Sequence, residues 1–406
     1  MAVLSVWVDR QVSTESLPVV LQTSVDGGRE VLGTIAMGLI TAYTLLLSLV
    51  LIAVQLASSQ FSPRTLRKWL GDHILQRAVG LVLATVVFSL LVLYQTRDLD
   101  DADTFEPNIS VFIAILLGLT ALIVVLRSVD HLADSMRVGS VAKTVMNETR
   151  ELIERGEARR SLDHPNLNPA PQLLPDTPEQ PPSDAHVVAT TAPGWVQTVD
   201  LDAVLEACPE GCTVQLPLAV GAFALTGIPM AWLSPVPDDE ELLEEFDAKV
   251  RAAVSVGSVR TMDQDVGFGI TRLVDIALRA LSPSLNDPNT AKDVIAHLGE
   301  ILLALLGEEE RPGISHQDGR TVVSIEHSHR RYVAACFDQV RHAASETPQV
   351  LAVLVQTLLT VRNEVERREL PARPSVIDEL LEEIADDVRR SSLSEHEQRR
   401  VLELLR

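Results

Sequence analysis

Cysteine is nearly missing from this chain of 406 residues, which holds three: Cys208, Cys212 and Cys336. Three unevenly placed thiols cannot build a disulfide framework, so reduced thiols in a cytoplasmic compartment are the expected state. Cys208 and Cys212 also lack the second pair that would complete a zinc site. Basic charge is short too. Lys and Arg number 34 against 56 Asp and Glu, for a formal net charge of −22, which argues against nucleic acid as a partner. The chain has no Walker loop, dinucleotide-binding glycine fingerprint, Gly-x-Ser-x-Gly elbow or kinase signature. His327 and His329 would point to one side of a strand, but with only His316 and His342 nearby they read as a solvent-facing pair. The acids Asp378, Glu379, Glu382, Glu383, Asp386 and Asp387 read as a solvated helix face. No catalytic residue, metal ligand or cofactor is assigned, and a non-enzymatic protein is expected.

What the chain does have is three long stretches without charge. Val31 to Pro63 spans 33 such residues, Ala78 to Thr96 spans 19 and Pro107 to Leu126 spans 20. A helix needs about 20 predominantly apolar residues to cross ~30 Å of hydrocarbon. Spans are expected at about 33–57, 78–96 and 107–126, inside a membrane domain of residues 31–126. No uncharged apolar run after Leu126 approaches that length, which leaves residues 127–406 outside the bilayer. The spans contain no Asp, Glu, Lys, Arg or His, which weighs against a proton-coupled transporter.

Lysine and arginine set the orientation. The loop after the first span carries Arg64, Arg67, Lys68 and Arg77 against Asp72, while the next loop carries Arg97 against Asp98, Asp100, Asp101, Asp103 and Glu106. The first loop is therefore expected in the cytoplasm and the second outside. The multi-pass protein then lies in the plasma membrane with a cytoplasmic C-terminal region and an extracytoplasmic segment at residues 1–30. Ser62 and Pro63 read as N-cap and N1 of a short interfacial helix to about Gly71, whose Arg64, Arg67 and Lys68, with Arg77, would lie against membrane lipids. Met1 to Val8 is apolar but too short to span, and reads as the stub of a lost first helix, making the membrane domain a truncated four-span unit.

Inside the first span Thr34, Thr41, Ser48, Gln55 and Ser62 recur every seven residues, and Thr44 and Ser59 widen the stripe. Such a stripe either glues helices together or lines a water-filled path in an oligomer. In the second span Gly80, Ala84, Thr85 and Ser89 suggest a patch for close helix contact.

Beyond the membrane the expected region is α+β. A helical extension at 127–155 leads into a proline-rich linker at 156–193, then a small β-rich module at 194–238 and a helical bundle of about six or seven helices at 239–406. Its most distinctive segment is Arg260 to Ala291, RTMDQDVGFGITRLVDIALRALSPSLNDPNTA. Arg272, Asp275 and Arg279 share one helix face, Ser282 and Pro283 stop that helix, and Asp287 with Pro288 starts the next. Arg260, Asp265, Arg272, Asp275, Arg279, Asn286 and Asp287 form either a ligand or subunit contact or a charged lock between two helices and a turn.

SSQFSPR at Ser58 to Arg64, VDHLADSMRV at Val129 to Val138, and GFGITRLVDIALRALSPSLNDPNTA at Gly267 to Ala291 resemble the bacterial predicted membrane proteins catalogued as domain of unknown function 2254. The resemblance implies four N-terminal spans and a cytosolic C-terminal region, and it brings no established reaction.

Three functional classes follow. The leading one is a homo-oligomeric membrane protein whose cytosolic domain senses a ligand or protein partner and gates an ion or small-solute pathway. The others are a membrane-anchored scaffold or assembly factor, and a membrane-associated hydrolase using Asp265, Asp275 and Asp287 with a divalent cation.

Overall fold

The computed structural model describes residues 5, 7, 9, 23–60, 73–96, 107–135, 138–163, 181–310 and 313–405. They fall into two compact units, Met1–Ser140 and Val141–Arg406.

Among the described residues, the first unit holds three long helices, α1 (Val25–Gln60), α2 (His73–Gln95) and α3 (Asn108–Ser135). Each is long and apolar enough to cross a membrane. Their mutual core is narrow. Leu32, Phe88, Val92, Val111 and Ala114 meet toward one end, and Leu39, Leu46, Val82, Val86, Ala121 and Val125 toward the other. Large apolar side chains such as Met37, Leu45, Leu83, Val87, Leu116 and Ile123 point outward, the arrangement a lipid solvent requires.

Polar bonds tie one end of this unit together. The Asp9 carboxylate accepts from the Ile109 and Ser110 amides at 2.7 and 3.0 Å and from the Ser110 hydroxyl at 2.5 Å. It thereby caps α3 from a hundred positions away, satisfying amides that have no partner within the helix. The Asn108 side chain accepts from the Thr23 amide at 2.6 Å, and the Arg29 guanidinium donates to the Thr96 carbonyl. The expected interfacial helix with Arg64, Arg67 and Lys68 lies outside the described residues, as do Met1 to Leu4, Val6 and Val8 of the apolar N-terminal stub.

The second unit opens with α4 (Val138–Asp163). The expected extension at 127–155 is thus helical on both sides of residues 136 and 137. Because α4 runs to Asp163 and β1 (His186–Ala189) has formed by 186, the expected linker at 156–193 shrinks from both ends. Then follow β2 (Gly194–Val199), α5 (Leu201–Ala207), β3 (Thr213–Gln215), β4 (Phe223–Ala224), β5 (Pro229–Ser234), α6 (Glu240–Ala253), β6 (Val254–Gly257), α7 (Val266–Ala280) and α8 (Pro288–Leu306). The chain ends with β7 (Ile314–Gln317), β8 (Arg320–Val323), α9 (His329–Ala343), α10 (Pro348–Arg367), α11 (Ser375–Arg390) and α12 (Glu395–Glu403).

The strands make two sheets, ordered β1-β5-β3-β8-β7 and β4-β2-β6. This revises the expected division into a module at 194–238 and a bundle at 239–406. β6 follows α6 and pairs antiparallel with β2, and the hairpin β7–β8 supplies the strand that pairs in parallel with β3. One core therefore serves both stretches: Val188, Val204, Val214, Leu233, Phe246, Val250 and Val322 are buried together. Seven helices, α6 to α12, occupy 239–406 among the described residues, and α8 begins at Pro288 as expected.

Candidate functional site: Arg260 to Ala291 and the outer face of the first span

Asp265 ends the loop before α7 and is its N-cap, accepting from the Phe268 amide at 2.8 Å. Its carboxylate also takes a forked pair of bonds from Arg260, Nε at 2.5 Å and Nη2 at 3.0 Å. The same guanidinium sits 5.6 Å from the Trp195 ring centroid and 5.3 Å from that of Phe268. Trp195 belongs to β2, so this partly buried pair fastens the small sheet to the start of α7. Gly221 makes the approach feasible, because a side chain there would strike the Asp265 carboxylate. Arg260 and Asp265 are consumed by each other, which favours a lock over an open ligand site.

Arg272 is different. It is 8% exposed, and its Nη1 reaches Glu148 of α4 at 3.5 Å and the Met262 sulfur at 2.9 Å. Its Nε is buried without a hydrogen-bond partner among the described residues. Burial pushes the guanidinium pKa down, and Glu148 opposes the shift. Arg272, Asp275 and Arg279, expected to share one face of α7, differ in exposure. Arg272 is buried, whereas Asp275 and Arg279 are half-buried.

At the far end of α7, Asn286 is exposed with φ +44°, and Asp287 caps α8 by accepting from the Asn289 and Thr290 amides at 3.2 and 3.1 Å and from the Thr290 hydroxyl at 2.6 Å. Those bonds hold the Asp287 carboxyl below the usual carboxylate range, the Thr290 hydroxyl contributing most. Asp265 and Asp287 flank opposite ends of a helix of 15 residues. That is about 22 Å of helix at 1.5 Å per residue. The three aspartates of the cation hypothesis are not brought together, and among the described residues no group of three His, Cys, Asp or Glu side chains could hold a metal ion. His329 is buried rather than solvent-facing, with Nε2 2.9 Å from the Glu308 carbonyl. The three thiols are buried, and burial raises the pKa of each.

In the membrane unit, Thr34, Thr41, Thr44, Ser48 and Gln55 are exposed and face away from the other two helices. The inward seam of α1 is instead Leu32, Ala36, Leu39, Tyr43 and Leu46, alternating steps of four and three. A second seam with the same steps runs along the exposed side: Thr34, Gly38, Thr41, Leu45, Ser48, Ile52 and Gln55. Its hydroxyls bond within the helix, Thr41 to the Met37 carbonyl at 2.9 Å and Ser48 to that of Thr44 at 2.8 Å. Thr44 does the same to Ile40 at 2.9 Å. The side chain of Ser59, and Ser62 entirely, lie outside the described residues, whereas Arg77 is described and exposed. The small-residue patch of α2 splits: Thr85 and Ser89 are fully buried, while Gly80 and Ala84 face outward. Sequence reasoning missed Gly38, Trp195 and Glu148. Of these only Gly38 carried a signal, since it lies four residues after Thr34 and three before Thr41.

Three membrane-crossing helices joined to a mixed helical and sheet-containing unit define an integral membrane protein. The chain belongs to the family described as predicted membrane protein (DUF2254), whose profile matches residues 1–360. It is 30% identical over 340 residues to uncharacterized proteins of Mycobacterium bovis and Mycobacterium tuberculosis, covering 82% of this chain and 63% of theirs. The chain thus spans less than two thirds of the length of these curated relatives. No solved structure matches.

Proposed function

We propose that this protein is a non-enzymatic, homo-oligomeric component of the plasma membrane, with its second unit in the cytoplasm as a sensing and regulatory domain. Copies associate through the outward seam of α1, and a gated ion or small-solute pathway forms where those seams meet. The observation that carries this reading is the second heptad seam, Thr34 to Gln55, on the side of α1 that the other two helices leave uncovered. Seams of this period pack helices against one another, and small and hydroxylated residues permit close approach in a bilayer. The outward pair Gly80 and Ala84, four residues apart on α2, adds a second close-approach surface. The orientation rests on Arg64, Arg67, Lys68 and Arg77 against the acidic loop that follows.

The test is cysteine cross-linking in native membranes. Cysteines placed at Thr41 or Ser48 form disulfide-linked dimers, whereas one at Leu39, on the inward seam, does not. The native thiols contribute little background, being buried and shifted toward the neutral form. Absence of cross-links from both outward positions would sink the oligomer. Solute flux in proteoliposomes, compared with Ser48→Leu and Gln55→Leu, then separates a pathway from simple association.

One observation favours the scaffold reading. Thr41, Thr44 and Ser48 satisfy their hydroxyls within their own helix, so this face also tolerates lipid. A monomeric anchor would leave the outward cysteines uncoupled.

A further inference from the structure

The chain enters the second unit through α4, and α4 meets α7 at two places. Thr149, fully buried, lies so close to Gly269 that an added methyl group would overlap it, with Thr149 Cγ2 at 2.9 Å. The Thr149 hydroxyl donates to the Val145 carbonyl at 2.7 Å, within its own helix, and so adds no bond across the joint. One residue away, Glu148 provides the carboxylate for Arg272 at 3.5 Å, a long contact. A guanidinium has five N–H donors, yet this buried one reaches a carboxylate once, has a thioether as its other acceptor and leaves Nε without a partner among the described residues. Burying a cation so poorly satisfied is unfavourable, and a well-packed apolar residue would hold the two helices more firmly. Arg260, five residues before Asp265 in the loop that leads into α7, shows the alternative: a forked pair.

We propose that the Glu148–Arg272 contact is a release joint, at which α4 undocks from α7 as a unit and so transmits movement of the membrane-proximal chain to the core of the second unit. The Gly269–Thr149 approach makes the joint two-state, because helices in contact at a glycine either seat or separate, with little room between. Undocking exposes Arg272 to water, which recovers its hydration and offsets much of the packing lost where Thr149 meets Gly269. The joint operates whether or not the first unit conducts.

Hydrogen exchange on the full-length protein in lipid nanodiscs tests it. Glu148→Gln removes the carboxylate and leaves the cation buried, so exchange of the α4 amides rises by at least about tenfold while that of α8 stays unchanged. Gly269→Ala wedges the helices apart and produces the same selective rise by an independent route. Arg272→Met removes the buried charge and slows α4 exchange below the native rate. If the first two variants accelerate α4 and α8 equally, or neither, or if Arg272→Met accelerates α4, the joint does not exist and the contact is only part of the core.

Discussion

Gly221 and Asp265 are packed so tightly that a methyl group at position 221 would overlap the Asp265 carboxylate, whose carbon would stand 2.7 Å from it. Gly221 also has φ +83°, a backbone region that L side chains avoid. Glycine is needed here on two independent grounds. Gly221→Ala is expected to destabilise the second unit by about 2–4 kcal/mol, roughly 1 kcal/mol of it from the backbone and the rest from displacing the partly buried Arg260–Asp265 pair. Denaturant unfolding measures this, and a loss under about 0.5 kcal/mol would mean the loop yields freely.

The two partners of that ion pair should not be equivalent. Asp265→Ala removes both the carboxylate beneath Arg260 and the cap of α7, at a cost of about 3–5 kcal/mol. Arg260→Ala leaves Asp265 still bonded to the Phe268 amide, and the arginine is 22% exposed, so about 1–3 kcal/mol is expected. Unfolding midpoints in the opposite order would contradict this clamp.

Where α8 crosses α10, a methyl group on Gly299 would lie 2.5 Å from Thr357 Cγ2. Gly299→Ala should therefore cost about 1–3 kcal/mol from overpacking. Thr357→Ser deletes the offending methyl group while keeping the hydroxyl. The double variant should recover most of the loss, a coupling that a thermodynamic cycle detects directly.

Asp287 supplies a pH test. Its folded pKa lies below the ordinary 3.8, so the stabilisation it adds is present above that value and is lost as pH falls through the lower folded value. Asp287→Ala should cost about 0.5–2 kcal/mol at neutral pH. The gap between variant and native protein should close as pH drops below about 4. A difference that persists at pH 2 would assign the effect to packing instead of charge.

The spans were legible because charge is excluded over whole helical lengths, and α8 because Asp287 and Pro288 announce it. The second sheet edge was less visible. Val254, Ser255, Val256 and Gly257 continue an amphipathic pattern from α6, and their assignment to β6 depends on β2, nearly sixty positions earlier. The β7–β8 hairpin did have a local signal. Asp318 and Gly319 carry φ +47° and +74°, the two left-handed positions of a tight turn that an Asp-Gly pair favours between alternating runs. The direction of the polar stripe on α1 was not readable, since a seven-residue period fixes a face without saying what that face meets. The burial of Arg272 was not legible because its partner Glu148 lies on α4, more than a hundred residues away in sequence.

The parallel pairing of β3 with β8 joins Thr213 to Thr321. During synthesis, β3 gains β5 as its first neighbour and must then wait for α6, β6, α7, α8 and β7 before its second exists. The strands between 186 and 234 are thus no autonomous module to be excised, transplanted or expressed alone. Truncations of this protein should respect residue 323 as the earliest point at which the sheet is whole, and late folding of that hairpin should govern how fast the second unit matures.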